Sequence, residues 1–311
     1  MLHYFESKDP TKEISFSTEA FSRMSKLRFL HLKGIILTGN FEQTLEDLRW
    51  FCWEQCPLTC LPSEFCPQDL IILKLPHSKI TALWELNMVS PVFENLKTLD
   101  MSFSQDLVTT PDFSKLPCLT TLILDGCESL EDVHISIGSL PRLVFLDLTF
   151  CVKLRILPDT ICNLRALKSL RIDNCSSLKA LPKELGNIGS LTQISAWQVN
   201  VGGLPDSLGR LSKLVRLSLA FSSNIKSLPN AICNLRTLEV LDITCCHRLS
   251  ALPKEIGNVK SLRKLYAPRI DVLKLPDSLG SLDKLVVLTL NNNYKLKTLP
   301  DTIGNLTSLK F

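Results

Sequence analysis

Five histidines and twelve cysteines are the residues of this chain best equipped for metal or nucleophilic chemistry. His3, His31, His77, His134 and His247 are scattered, and none has the H-E-x-x-H spacing that aims two imidazoles at one zinc. Cys52, Cys56, Cys60 and Cys66 form the one dense thiol run, with three, three and five residues between them. Zinc sites use paired C-x-x-C spacing, and here Cys52 is expected to face outward while Cys56 faces inward. No carboxylate pair, nucleophile elbow or G-x-x-x-x-G-K-[ST] phosphate loop occurs in the 311 residues. Asn174-Cys175-Ser176 and Asn305-Leu306-Thr307 match the glycosylation sequon, a modification that requires secretion. The expectation is a chain that is not an enzyme and holds no cofactor or metal.

The cysteines point instead to the elements that hold them. Cys56, Cys127, Cys151, Cys175 and Cys246 all fall in the ninth place of one repeating motif, Leu-x-x-Leu-x-Leu-x-x-(Cys/Asn/Ser)-x-x-Leu-x-x-Leu-Pro-x-x-Ile-x-x-Leu. Starts fall at Leu27, Leu48, Leu70, Leu96, Leu119, Leu143, Leu167, Leu191, Leu214, Leu238, Leu262, Leu285 and Leu309, spaced by 23 or 24 residues from Leu119 onward. This is the pattern of a leucine-rich repeat. Leu-x-Leu has the period of a strand with one buried face. Leu-Pro-x-x-Ile-x-x-Leu predicts a short helical or 3-10 return with Pro in its first turn. The fold class expected is an α/β repeat: a leucine-rich-repeat solenoid, or horseshoe, with a concave parallel sheet. The ninth residue should turn the chain inward. Residues 1–26 read as a lead-in and cap-like segment, 27–118 as irregular repeats, and 119–311 as regular repeats with the last unfinished.

Composition agrees. Hydrophobic residues make up 45% of the chain, ample for a core, and Lys+Arg minus Asp+Glu is 35 − 31 = +4. So small a balance argues against nucleic acid or an anionic membrane as the main partner. No apolar run approaches the ~18 residues that span a bilayer, and the N-terminus lacks a signal-peptide pattern. The thiols therefore read as reduced, in a cytoplasmic or nucleocytoplasmic protein.

A longer period overlies the short one: residues 167–237 and 238–308 are tandem copies shifted by 71. The second, third, fifth, seventh and eighth places of each repeat should face outward from the strand. Of fifteen such pairs between the copies, Val215/Val286 alone is identical, whereas eight of eleven positions match between 181–191 and 252–262. Twelve strands offer an inner face of ~900 Å², near the ~800 Å² one partner gives to a standard protein interface. Mixed aromatics, cations and anions suit a protein ligand better than a phosphate polymer. The candidate binding residues are Phe145, Phe150, Arg171, Asp173, Trp197, Arg216, Phe221, Asp242, Arg263, Tyr266 and Arg269.

The earlier repeats narrow the class. Phe21–Leu30, Leu48-Arg49-Trp50, Cys56-Pro57-Leu58, Leu73-Lys74-Leu75-Pro76, Thr110-Pro111-Asp112-Phe113-Ser114 and Leu124-Asp125-Gly126-Cys127 form a series. Over residues 14–311 the chain resembles the repeat region of plant intracellular immune receptors of the Toll/interleukin-receptor-type nucleotide-binding class. The resemblance implies recognition of a pathogen effector or guarded host protein, and restraint of a nucleotide-binding domain. The phosphate loop of that domain is not in this sequence, so a fragment or truncated product is expected. A small-GTPase-binding signalling scaffold, which also uses Leu-Pro-x-x-Ile, is the alternative. A receptor-kinase ectodomain fits less well, for want of a signal peptide.

Overall fold

The computed structural model describes residues 2–6, 14–24, 26–41, 45–84 and 92–310, the first five as backbone alone. It divides into two compact units, Met1–Cys151 and Val152–Phe311. Parts of the expected lead-in, including residues 7–13 and 25, lie outside the described residues, as does the His3 side chain.

Each described repeat contributes one short parallel strand. In the second unit these are Ser169–Arg171, Gln193–Ser195, Arg216–Ser218, Val240–Asp242, Lys264–Tyr266 and Val287–Thr289. They pair in sequence order, so Leu170, Ile194, Leu217, Leu241, Leu265 and Leu288 form one row across the ladder. Of these, all but Leu288 are buried; each buried leucine contributes ~1.5–3 kcal/mol of hydrophobic stabilisation. No rung covers its own leucines, so that gain exists only between neighbours. The first unit repeats the arrangement from Phe29–Lys33 to Phe145–Asp147. It also adds a strand the repeat pattern did not mark: Leu2–Glu6 pairs in parallel with Phe29–Lys33. A small second sheet joins Ile14–Ser17 to Ile35–Thr38.

The chain turns one residue earlier than expected. The eighth place, not the ninth, takes left-handed backbone in rung after rung: Gln55, His77, Phe103, Phe150, Asn174, Gln198, Phe221, Cys245, Arg269 and Asn292 have φ between 54° and 62°. Gly34 and Gly126 hold the same place. With glycine in so few rungs, the usual composition mark of such a turn is missing. The ninth side chain points into the core and in several rungs bonds the preceding one; Ile35, Val199 and Ile270 have no polar atom to do so, and Ser78 Oγ makes no hydrogen bond among the described residues. Ser222 Oγ donates to the Ala196 carbonyl at 3.0 Å and accepts from the Val199 N–H at 3.1 Å. Asn293 does the same with Ala267 and Ile270. Cysteine keeps the donor half: Cys127, Cys151 and Cys246 thiols reach the carbonyls of Met101, Leu124 and Leu219 at 3.1–3.2 Å.

The return segments are 3-10 turns, such as Asp206–Arg210 and Asp277–Ser281. Proline stands just before them as the extended N-cap, not inside the first turn; Pro205 has φ −71° and ψ 144°. Its carbonyl accepts the first helical bond from Leu208 at 3.0 Å, and its missing N–H costs nothing there. These turns stack closely. A Cβ on Gly257 would lie 2.0 Å from the Ser278 carbonyl oxygen, while Ser278 Oγ accepts from the Gly257 N–H at 3.2 Å. Gly186 meets Ser207 in the same way.

Candidate protein-binding face

Alternation along each strand sends the fourth and sixth residues inward and leaves the third and fifth on the open face of the sheet. In the second unit Arg171, Ser195, Ser218, Asp242 and Tyr266 therefore lie side by side, strand to strand. Arg216, Val240 and Lys264 form a parallel row.

Beyond the strands, Trp197 and Phe221 meet edge to face, ring centroids 5.6 Å apart at 62°. Trp197 is half-buried, and Phe221 stays 45% exposed. Asp173 sets the tryptophan: its Oδ1 accepts from the Trp197 N–H at 2.8 Å and from Ser195 Oγ at 2.7 Å. Its other oxygen lies 3.7 Å from Arg171 Nε. Asp173 is thus buried and committed to positioning its neighbours. Asp242 Oδ1 accepts from the Thr244 N–H at 3.0 Å, as Asp147 does from Thr149 and Asp100 from Ser102. Asp173 and Asp242 are expected from the sequence as outward-facing contacts; Asp173, like Asp100 and Asp147, is instead buried, because the strand ends need an acceptor for their free N–H groups.

The remaining candidates keep their reach. Arg216, Arg263 and Arg269 are exposed, Arg171 and Tyr266 half-buried. Lys168 and Lys264, not among the expected contacts, share this face and are exposed. Their places, second and third in the repeat, were the available signal. In the first unit Phe145 is half-buried and Phe150 is 44% exposed. Phe103 there stacks on His77 at 4.9 Å and 8°.

The first unit also holds a polar trio. His31 Nε2 lies 2.8 Å from Glu54 Oε1, and the Cys52 thiol stands with them, all three ligand atoms within 4.8 Å of one another. Cys52 is on the sheet face as expected, but buried; burial, then the Glu54 charge, pushes its thiol up to about 12. Such donors suit zinc in kind. Lys74, whose charge acts on the same thiol, opposes a second cation there. Among the described residues, Cys56, Cys60 and Cys66 do not join Cys52 in a metal-binding group. Cys66 is bonded by Gln68 Nε2 at 2.9 Å.

Comparison with known proteins follows the same lines. A sequence profile described as a leucine-rich repeat region matches residues 95–248. Among solved structures, a chain of the Toll–Spatzle complex from Drosophila superposes with a TM-score of 0.73 at 16% identity, over 96% of this chain and 40% of that one. An internalin from Listeria monocytogenes gives 0.56 at 16% identity, over 93% and 81%. The fold is the leucine-rich-repeat solenoid. Among curated sequences, disease resistance protein TAO1 of Arabidopsis thaliana is 37% identical over 135 residues, 40% of this chain and 11% of that protein. Disease resistance protein RPV1 of Vitis rotundifolia is 34% identical over 142 residues, 46% and 10%. Over these stretches the chain is similar to plant disease resistance proteins, and the match spans about a tenth of the length of these relatives. Among the described residues no helix is long and apolar enough to cross a membrane.

Proposed function

We propose that this chain is the recognition module of a plant intracellular immune receptor. Its sheet face binds a protein ligand, a pathogen effector or a guarded host protein, and the repeats restrain the nucleotide-binding domain of the parent receptor in the cytoplasm. The contacts are Phe145 and Phe150 on the first unit. On the second they are Arg171, Trp197, Arg216, Phe221, Asp242, Arg263, Tyr266 and Arg269, with Asp173 holding Trp197 in place.

The observation that carries this reading is Phe221. A bulky residue at φ 60° is held against a steric penalty of ~1–2 kcal/mol. Its ring is also left 45% exposed. The fold needs no phenylalanine there: Asn174 and Asn292 hold the same place in other rungs, and Asn292 is its counterpart in the tandem copy. Strain together with exposure supports a contact role for Phe221.

The test is differential capture from extracts of challenged leaf tissue. Immobilised native chain, Trp197→Ala, Phe221→Asn and Lys254→Glu are compared by quantitative mass spectrometry. A protein recovered by native chain and Lys254→Glu, and lost with the two sheet-face variants, is the expected result. Equal recovery on all four baits contradicts the reading.

A further inference from the structure

Burial separates the charges of the second unit's sheet face in a way their sequence does not. Over the rungs from Leu167 to Asn293, the five outward places of each rung hold six cations and three acids. Of the acids, Asp173 is buried and Asp242 half-buried, and both accept backbone N–H bonds. Glu239 alone is exposed. Of the cations, Lys168, Arg216, Arg263, Lys264 and Arg269 are all exposed, and among the described residues none is ion-paired.

Away from this face, three ion pairs form among the described residues of the same unit. Arg210 meets Glu184 at 2.5 Å, Lys295 meets Asp271 at 2.8 Å, and Lys260 lies 3.8 Å from Asp283. The sheet face is therefore a mainly cationic surface whose two aspartates bond backbone N–H groups, leaving Glu239 as its one exposed carboxylate among these places. Strands ~4.8 Å apart put the rungs of Arg216 and Lys264 ~10 Å apart, with Phe221 beyond the end of the Arg216 strand and Trp197 beyond the end of the strand before it. An extended segment of about three residues covers that distance.

We infer that the sheet face of residues 152–311 takes an acidic polypeptide segment bearing one large apolar side chain. Its carboxylates meet Arg216, Arg263, Lys264 and Arg269, and its apolar residue seats against Trp197 and Phe221. The inference rests on the reading of this face as the binding surface and adds the chemistry of the partner. Carboxylates of the partner supply the charges the face lacks, steering the encounter at low salt and fixing register once docked. The aromatic pair supplies an anchor that a phosphate polymer would not need.

Panning a random dodecapeptide display library against the folded full chain at ~50 mM salt tests it. Enriched peptides should be net acidic with at least one aromatic or large aliphatic residue. Synthetic copies should bind at least tenfold more weakly to Arg216→Glu/Arg263→Glu/Arg269→Glu, more weakly to Trp197→Ala, and more weakly as salt rises. The triple glutamine variant at the same exposed positions separates lost charge from misfolding, since it should bind at an intermediate level with an unchanged unfolding midpoint. Failure to enrich acidic sequences overturns the inference, as do acidic peptides that bind the glutamate variant equally well. Heparin displacing the peptides while binding Trp197→Ala as tightly as native chain reduces the face to a general polyanion site, and also overturns it. Neutral or basic peptides lost with Trp197→Ala overturn the acidic partner alone and leave the binding face standing. Peptides insensitive to Trp197→Ala and Phe221→Asn place recognition elsewhere and end both readings.

Discussion

At the residue scale, the eighth place of the repeat is where fold and recognition compete. Its left-handed backbone suits glycine and asparagine, yet Phe103, Phe150 and Phe221 hold it with rings 43–45% exposed. Phe221→Asn copies the residue of the tandem repeat. Relief of backbone strain should roughly offset the lost contact with Trp197, itself worth ~0.5–1.5 kcal/mol. Urea unfolding should therefore move by less than about 1 kcal/mol. A larger loss would assign Phe221 to the fold rather than to a ligand. The phenylalanines were visible in the sequence, but their strain was not, because the glycine that marks such a turn stands in so few rungs. The ninth-place cysteines are different. Burial pushes Cys56, Cys127 and Cys246 up to about 12 from an ordinary 9.0. Between those values the unfolded chain has released protons the folded chain still holds, so rising pH favours unfolding. The unfolding midpoint should fall as pH climbs above 9, and less steeply in Cys127→Ser, which copies Ser104 and Ser222. An unchanged slope in that variant would show that this thiol does not govern alkaline stability.

At the element scale, rungs are fastened to one another on both sides of the strand where their sequence allows it. On one side the ninth residue bridges backbones. Ser222→Ala strips partners from the Ala196 carbonyl and Val199 N–H, and should cost ~1–3 kcal/mol by chemical unfolding. A neutral Ser222→Ala would mean that water or rearrangement replaces the bridge. On the other side the 3-10 turns pack glycine against carbonyl. Gly257→Ala forces a Cβ to within 2.0 Å of the Ser278 oxygen, and should destabilise by about 3 kcal/mol or prevent folding, as overpacking does. Calorimetric unfolding reads this directly, and an unshifted transition would show that the turns can slide apart. These contacts account for the Gly186/Gly257 match among the eight identities between 181–191 and 252–262, so part of the contrast with the variable strand face is structural. The leucine and proline periods made strands and returns legible. The strand Leu2–Glu6 was not, because it lacks the Leu-x-x-Leu-x-Leu pattern and is specified by its partner Phe29–Lys33.

At the scale of the whole molecule, sequence arithmetic misleads about charge. A balance of +4 over 311 residues describes a nearly neutral protein. The structure redistributes it, because Asp173 and Asp242 are drawn into backbone bonds while Arg216, Arg263 and Arg269 stay in solvent. Which residues share a face was legible from repeat spacing; which of them remain available was not, since an aspartate that ends a strand and one that meets a ligand look alike in a sequence. The relatives are plant disease resistance proteins, and the proposed docking surface for a protein ligand is the sheet face. The most direct measurement is the calorimetric affinity of the captured partner for native chain, Trp197→Ala and Tyr266→Ala, beside the unfolding midpoint of each. The account predicts a loss of ~30-fold, or ~2 kcal/mol, for each sheet-face change with the midpoint within about 1 kcal/mol of native. Affinity unchanged in both variants, but lost in Lys183→Ala or Lys254→Ala, would place recognition on the 3-10 side and contradict it.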